Sequence, residues 1–144
     1  MAYIIRKGNI LSKIAKDDTD KNEQNFPSEI YSSINISDSD FLKLKKSRAT
    51  VTIDGDNVTI NDVASTTYAD SNSLTSNINS IKYSLKQFLD ISSNNSKAIY
   101  SVAQTYYNTL DAFDISTISF SLNKTWEEYC EENSITYIHP LQIP

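Results

Sequence analysis

The chain has 144 residues and a formal net charge of -5, enough length for one buried core and the wrong balance for the clustered Lys and Arg of a nucleic-acid footprint. One cysteine, Cys130, leaves no internal disulfide to form, and no cluster of Cys and His offers a zinc site. Arg6 and Lys7 interrupt the N-terminus before any long apolar run, so neither a signal peptide nor a membrane span is expected.

Residues 1–15 read as an N-terminal β-hairpin. Tyr3 to Lys7 and Ile10 to Ile14 flank Gly8-Asn9, and glycine first in the turn suits a two-residue type II′ connection, which needs positive φ there. A lone hairpin is marginal in water, so it should join a sheet or a partner chain. Residues 16–28 read as a polar linker with nothing to bury before Phe26. Asp18, Asp20, Asn22 and Glu29 stand at positions 1, 3, 5 and 12 of an EF-hand calcium loop and are the one candidate metal site. Position 6 is Glu23 where the sharp turn needs glycine, and Pro27 crowds the glutamate. A solvated acidic loop accounts for the pattern better.

Residues 29–63 read as strand, helix and hairpin. Ile30, Ile34 and Ile36 alternate on one face of a half-buried strand. Ser37-Asp38-Ser39-Asp40 then marks a helix start, where side-chain oxygens cap free amides and acids face the positive end of the dipole. Phe41, Leu42 and Leu44 carry that helix to about Ser47, and Lys43, Lys45, Lys46 and Arg48 spread around its axis as a solvated face. Val51, Ile53, Val58 and Ile60 alternate on either side of Asp54-Gly55-Asp56-Asn57, so a turn explains both acids without chemistry.

The longest unbroken periodicity lies in residues 73–113. Leu74, Ile78, Ile81, Leu85, Phe88 and Leu89 form one helical stripe, and Ile99, Val102, Ala103, Tyr106, Leu110 and Phe113 form a second after the break Ser92 to Asn95. So short a connection folds the two helices back antiparallel, stripe against stripe. Tyr106 and Tyr107 are neighbours and face different ways, which makes Tyr107 a candidate partner contact. Residues 123–133 read as a short helix with Trp126, Tyr129 and Cys130 on one face. In the extended tail 134–144, Pro140 and Pro144 oppose helix. It reads as a strap, packed on its own domain or on a neighbour, with Tyr137, Ile138, Pro140, Leu141 and Ile143 as partner-binding candidates.

The expected fold is therefore α+β in a single domain, with short hairpins forming a small antiparallel sheet packed with a long helical hairpin. No catalytic residue is assigned, because the one histidine, His139, and Cys130 sit in no nucleophile motif. Two glycines, both in hairpin turns, build no phosphate-cradling loop, and no cofactor is expected.

The C-terminal pattern Trp126-x-x-Tyr129 followed by Tyr137-Ile138-His139-Pro140-Leu141-Gln142-Ile143-Pro144 resembles the ends of small proteins from tailed, particularly marine, bacteriophages. The excess of Asn, Ser, Ile and Lys over Gly and Pro fits an A/T-rich genome of that kind. The resemblance implies a minor virion structural protein of the tail, neck or fibre-attachment region, homo-oligomeric and in contact with other phage structural proteins. It implies no nucleic-acid or membrane partner. A tail-fibre assembly chaperone is the alternative in that setting, and a small calcium-binding or hydrolytic protein is the alternative of another class.

Overall fold

A computed structural model describes residues 1–46, 50–61 and 68–144, and its helices and antiparallel strands define an α+β fold. The contacts of the chain, expected from its length to make one domain, gather in two compact units, Met1–Ala64 with Pro144 and Ser65–Ile143.

In the first unit, β1 (Ala2–Lys7) and β2 (Ile10–Ala15) form the expected hairpin, and Gly8 takes the positive φ of 58° that its turn requires. The hairpin joins a sheet, as its marginal stability demanded: β3 (Ser32–Ile36) pairs antiparallel with β1 to give the order β2-β1-β3. Central β1 is covered on both sides, with Ala2, Tyr3, Ile4 and Ile5 all buried. Among the described residues β4 (Thr50–Asp54) and β5 (Asn57–Asn61) pair only with each other, around Gly55 at φ 58°. Arg6 ties that second hairpin to the first. Its guanidinium donates to the Gly55 carbonyl, pairs with Asp56 at 3.0 Å and reaches Ser32 Oγ at 3.0 Å.

Two expectations for this unit are corrected. The stretch read as a linker contains helix α1 (Asp18–Gln24), capped by Asp17, whose carboxylate accepts the Asp20 amide at 2.9 Å. Its inward face is polar and therefore escapes a hydrophobic-periodicity reading: Asp20 accepts the Lys16 amide at 3.3 Å, and Gln24 Nε2 donates to the Ile14 carbonyl at 2.8 Å. β3 starts at Ser32, and Ile30 is exposed in a turn held by amides donating to the Pro27 carbonyl, off the strand face assigned to it. α2 (Asp38–Lys46) begins as expected, with Ser37 Oγ accepting the Asp40 amide at 3.0 Å. Lys43 pairs with Asp40 and Lys45 lies over the Phe41 ring, while Arg48 and the segment 62–67 lie outside the described residues.

The second unit is built on α3 (Ser71–Leu89) and α4 (Ala98–Asp111). Asp70 caps α3 by accepting the Ser73 amide at 2.9 Å, so the helix starts two residues before the expected Ser73. Leu74, Ile78, Ile81, Leu85 and Phe88 are buried, and so are Ile99, Ala103, Tyr106 and Leu110 of α4. Val102 is exposed, because the buried α4 residues step by four, three and four and leave it about 70° round the helix from the centre of that stripe. The turn between the helices is 3₁₀ over Ser92–Ser96, pinned by buried Asn94, whose amide donates to the Phe88 carbonyl at 2.8 Å. α5 (Trp126–Glu132) is capped by Thr125, and the pattern Thr125-x-x-Glu128 is a legible start signal. Tyr68 and Leu122 exchange two backbone hydrogen bonds, of 2.8 and 2.9 Å, fastening the approach to α3 onto the approach to α5.

Candidate functional site

The candidate metal residues do not converge. Asp18, Asp20 and Asn22 lie at i, i+2 and i+4 on helix α1, so successive side chains turn away from one another instead of encircling an ion. Asp18 accepts the Tyr3 hydroxyl, a bond that holds its carboxyl below the usual range, and Lys21 stands 3.5 Å from it. Asp20 faces inward, and Glu29 lies exposed beyond the helix. Among the described residues no group of three His, Cys, Asp or Glu is placed to hold a metal ion.

The tail candidates divide by burial. Ile138 and Ile143 belong to the core of the second unit and present no surface to a partner, which corrects their assignment as partner contacts. Tyr137 packs edge-on to Tyr106 at 5.6 Å, and burial, with Glu127 beside the phenol, pushes its pKa up. The proline expected to keep the chain extended instead opens a 3₁₀ turn, Pro140–Gln142. Proline suits that first position because its absent N–H would have had no helical partner. Gln142 Oε1 accepts the His139 amide at 3.0 Å and His139 Nδ1 accepts the Leu141 amide at 3.1 Å, closing a reciprocal cap. Pro140 stays exposed and Leu141 half-buried. Cys130 is fully buried, its pKa raised by burial and by the Glu127 carboxylate, so the sulfur is held as an unreactive thiol.

Tyr107 is the candidate that the structure sets in a built surface. It is half-buried on α4, with the Lys82 ammonium 5.9 Å from its ring centroid. Lys82 also donates to Asp111 at 2.8 Å, a bond that raises its pKa and clamps α3 to α4. Across from Tyr107 stands Tyr83, two residues past Ile81 and therefore off the buried stripe, 67% exposed. Gln87 Nε2 donates to the Tyr83 hydroxyl at 3.0 Å, one turn along the same helix. The two tyrosines, with Asn79, Lys82, Lys86 and Asp90, line a shallow groove of about 530 Å³. Lys86 is paired with Asp90 at 3.2 Å. The groove thus offers aromatic surface, amides and charges that are already compensated, a combination suited to contact with another protein. Tyr83 was not singled out from sequence, although its signal was there: a large aromatic on the polar side of a strongly periodic helix.

No protein-family model, no curated protein and no solved structure matches the chain. Among the described residues no helix is long and apolar enough to cross a membrane.

Proposed function

We propose that this protein is a minor structural component of a tailed-phage virion, of the tail, neck or fibre-attachment region, and that it works through protein contacts without catalysis. The observation that carries the reading is the Tyr83–Tyr107 groove. A tyrosine 67% exposed on the polar side of a helix that buries only one stripe has no role in that core, and its hydroxyl accepts a hydrogen bond from Gln87. Rigid, amphipathic aromatics of this kind dominate the energetics of protein interfaces. The C-terminal resemblance supplies the biological setting, and homo-oligomeric assembly within the virion follows from it.

Quantitative mass spectrometry of purified particles tests the reading. The wild-type chain should be present at fixed stoichiometry. A Tyr83→Ala, Tyr107→Ala variant should stay folded, because Tyr83 is on the surface and Tyr107 only half-buried, and should be incorporated roughly thirtyfold less, the effect of losing about 2 kcal/mol of contact. Absence of the wild-type chain from mature particles refutes a structural role and favours a chaperone that departs. Full incorporation of the folded variant refutes the groove as the contact.

A further inference from the structure

The first unit holds a cleft of about 300 Å³ between α1 and the outer strand β3. Buried Ile5 of β1 lines it, and Ser33, directly opposite Ile5 in the β1–β3 register, emerges on the same face of the sheet. Asn22 and Asn25 enter from the C-terminal end of α1, where Asn25 takes a left-handed φ of 52° and donates its amide to the Asn22 carbonyl. The loop from α1 to β3 closes one side with Phe26 and Tyr31, whose ring centroids are 4.6 Å apart and whose planes are tilted by 43°. The loop is not slack, since Ile30 and Tyr31 both donate backbone amides to the Pro27 carbonyl, at 3.2 and 2.9 Å.

The chemistry of the lining selects a ligand class. Two half-buried aromatic rings offer apolar faces, and the exposed amides of Asn22 and Asn25 and hydroxyl of Ser33 each donate and accept. Among the described residues that line the cleft the one cation is Lys21, and it is engaged: its ammonium lies 3.5 Å from Asp18 and 4.2 Å over the Tyr3 ring. A phosphate or carboxylate would therefore meet no free counter-charge, and a cation would meet a lysine. The volume is at the small end of ligand sites, which run from about 300 to about 1,000 Å³, and fits a single ring better than a nucleotide. We propose that this cleft binds a neutral saccharide residue, with the ring against Phe26 and Tyr31 and the hydroxyls hydrogen-bonded by Asn22, Asn25 and Ser33. The site lies wholly in the first unit and stands independently of the α3–α4 groove.

Titration of the ¹⁵N-labelled full chain with the methyl glycosides of glucose, galactose, mannose and N-acetylglucosamine, followed by amide chemical shifts, tests the proposal. At least one glycoside should give saturable shifts confined to Asn22, Asn25, Phe26, Tyr31 and Ser33. Asn25→Gly keeps the left-handed backbone while deleting the amide, and Ser33→Ala deletes only a hydroxyl. Each should weaken binding about three- to tenfold, the effect of one neutral hydrogen bond, with amide dispersion otherwise unchanged. Inorganic phosphate should give no saturable shift at these residues. The proposal is overturned if none of the four glycosides saturates, if phosphate binds there in their place, or if both folded variants bind as the wild type does.

Discussion

Replacing Tyr106 with Phe isolates the polar contact at the centre of the second unit. Tyr106 is 0% exposed and Trp126 1%, and the indole Nε1 donates to the Tyr106 hydroxyl at 2.9 Å. Phenylalanine keeps the ring, and with it the edge-on contact to Tyr137 at 5.6 Å, so no sizeable cavity opens. The loss is that of a buried donor left without an acceptor, which costs about 1–3 kcal/mol. Taking 2 kcal/mol as the central value, a unit of this size should melt about 10 °C lower. Trp126 is the only tryptophan, so urea unfolding followed by its fluorescence reads this unit directly. Tyr106→Phe should lower the midpoint while leaving the slope unchanged. A midpoint equal to that of the wild type would show that the buried bond contributes nothing and that the indole finds another partner.

Alkaline pH should destabilise the same unit. Burial raises the folded-state pKa of Tyr106, Tyr137 and Cys130 above the ordinary 10.0 for tyrosine and 9.0 for cysteine. Their contribution is complete below those values; above them the unfolded chain binds fewer protons than the folded one, and stability falls by up to about 1.4 kcal/mol per pH unit per group. A urea midpoint constant from roughly pH 8 to roughly pH 11 would contradict this sign and these sites. Ile138→Ala should cost about 2–5 kcal/mol in the same assay, because Ile138 is 3% exposed in the core; a loss below about 0.5 kcal/mol would return the tail to the surface. Millimolar calcium should leave the melting temperature of the full chain unchanged, since α1 turns Asp20 to the side opposite Asp18 and Asn22; a calcium-dependent rise would mean that α1 unwinds to form a loop around the ion.

The elements legible in the sequence were those fixed by local stereochemistry and periodicity. Gly8 and Gly55 announced the two hairpins because only glycine takes positive φ there without strain. The α3 stripe was legible because five apolar residues recur at helical spacing, and Ser37 marked the start of α2. α1 was hidden because what it turns inward is Asp20 and Gln24, and a helix that buries hydrogen bonds has no hydrophobic period to read.

The candidate sites were less legible, since each depends on residues distant in sequence. Nothing local places Tyr83 beside Tyr107; the return of α4 along α3 does that, with Lys82 and Asp111 as the clamp. The saccharide cleft likewise exists only because β3 pairs with β1 and brings Ser33 opposite Ile5, under a helix that the composition concealed. The tail shows the same division. Sequence determined that Tyr137 to Ile143 is apolar and interrupted by proline, and tertiary structure alone decided that Ile138 and Ile143 complete their own core while Pro140 faces solvent. Turns and periodicities are set by neighbours within a few bonds, whereas which apolar surface is covered, and which is left for a partner, is set by the packing of the chain as a whole.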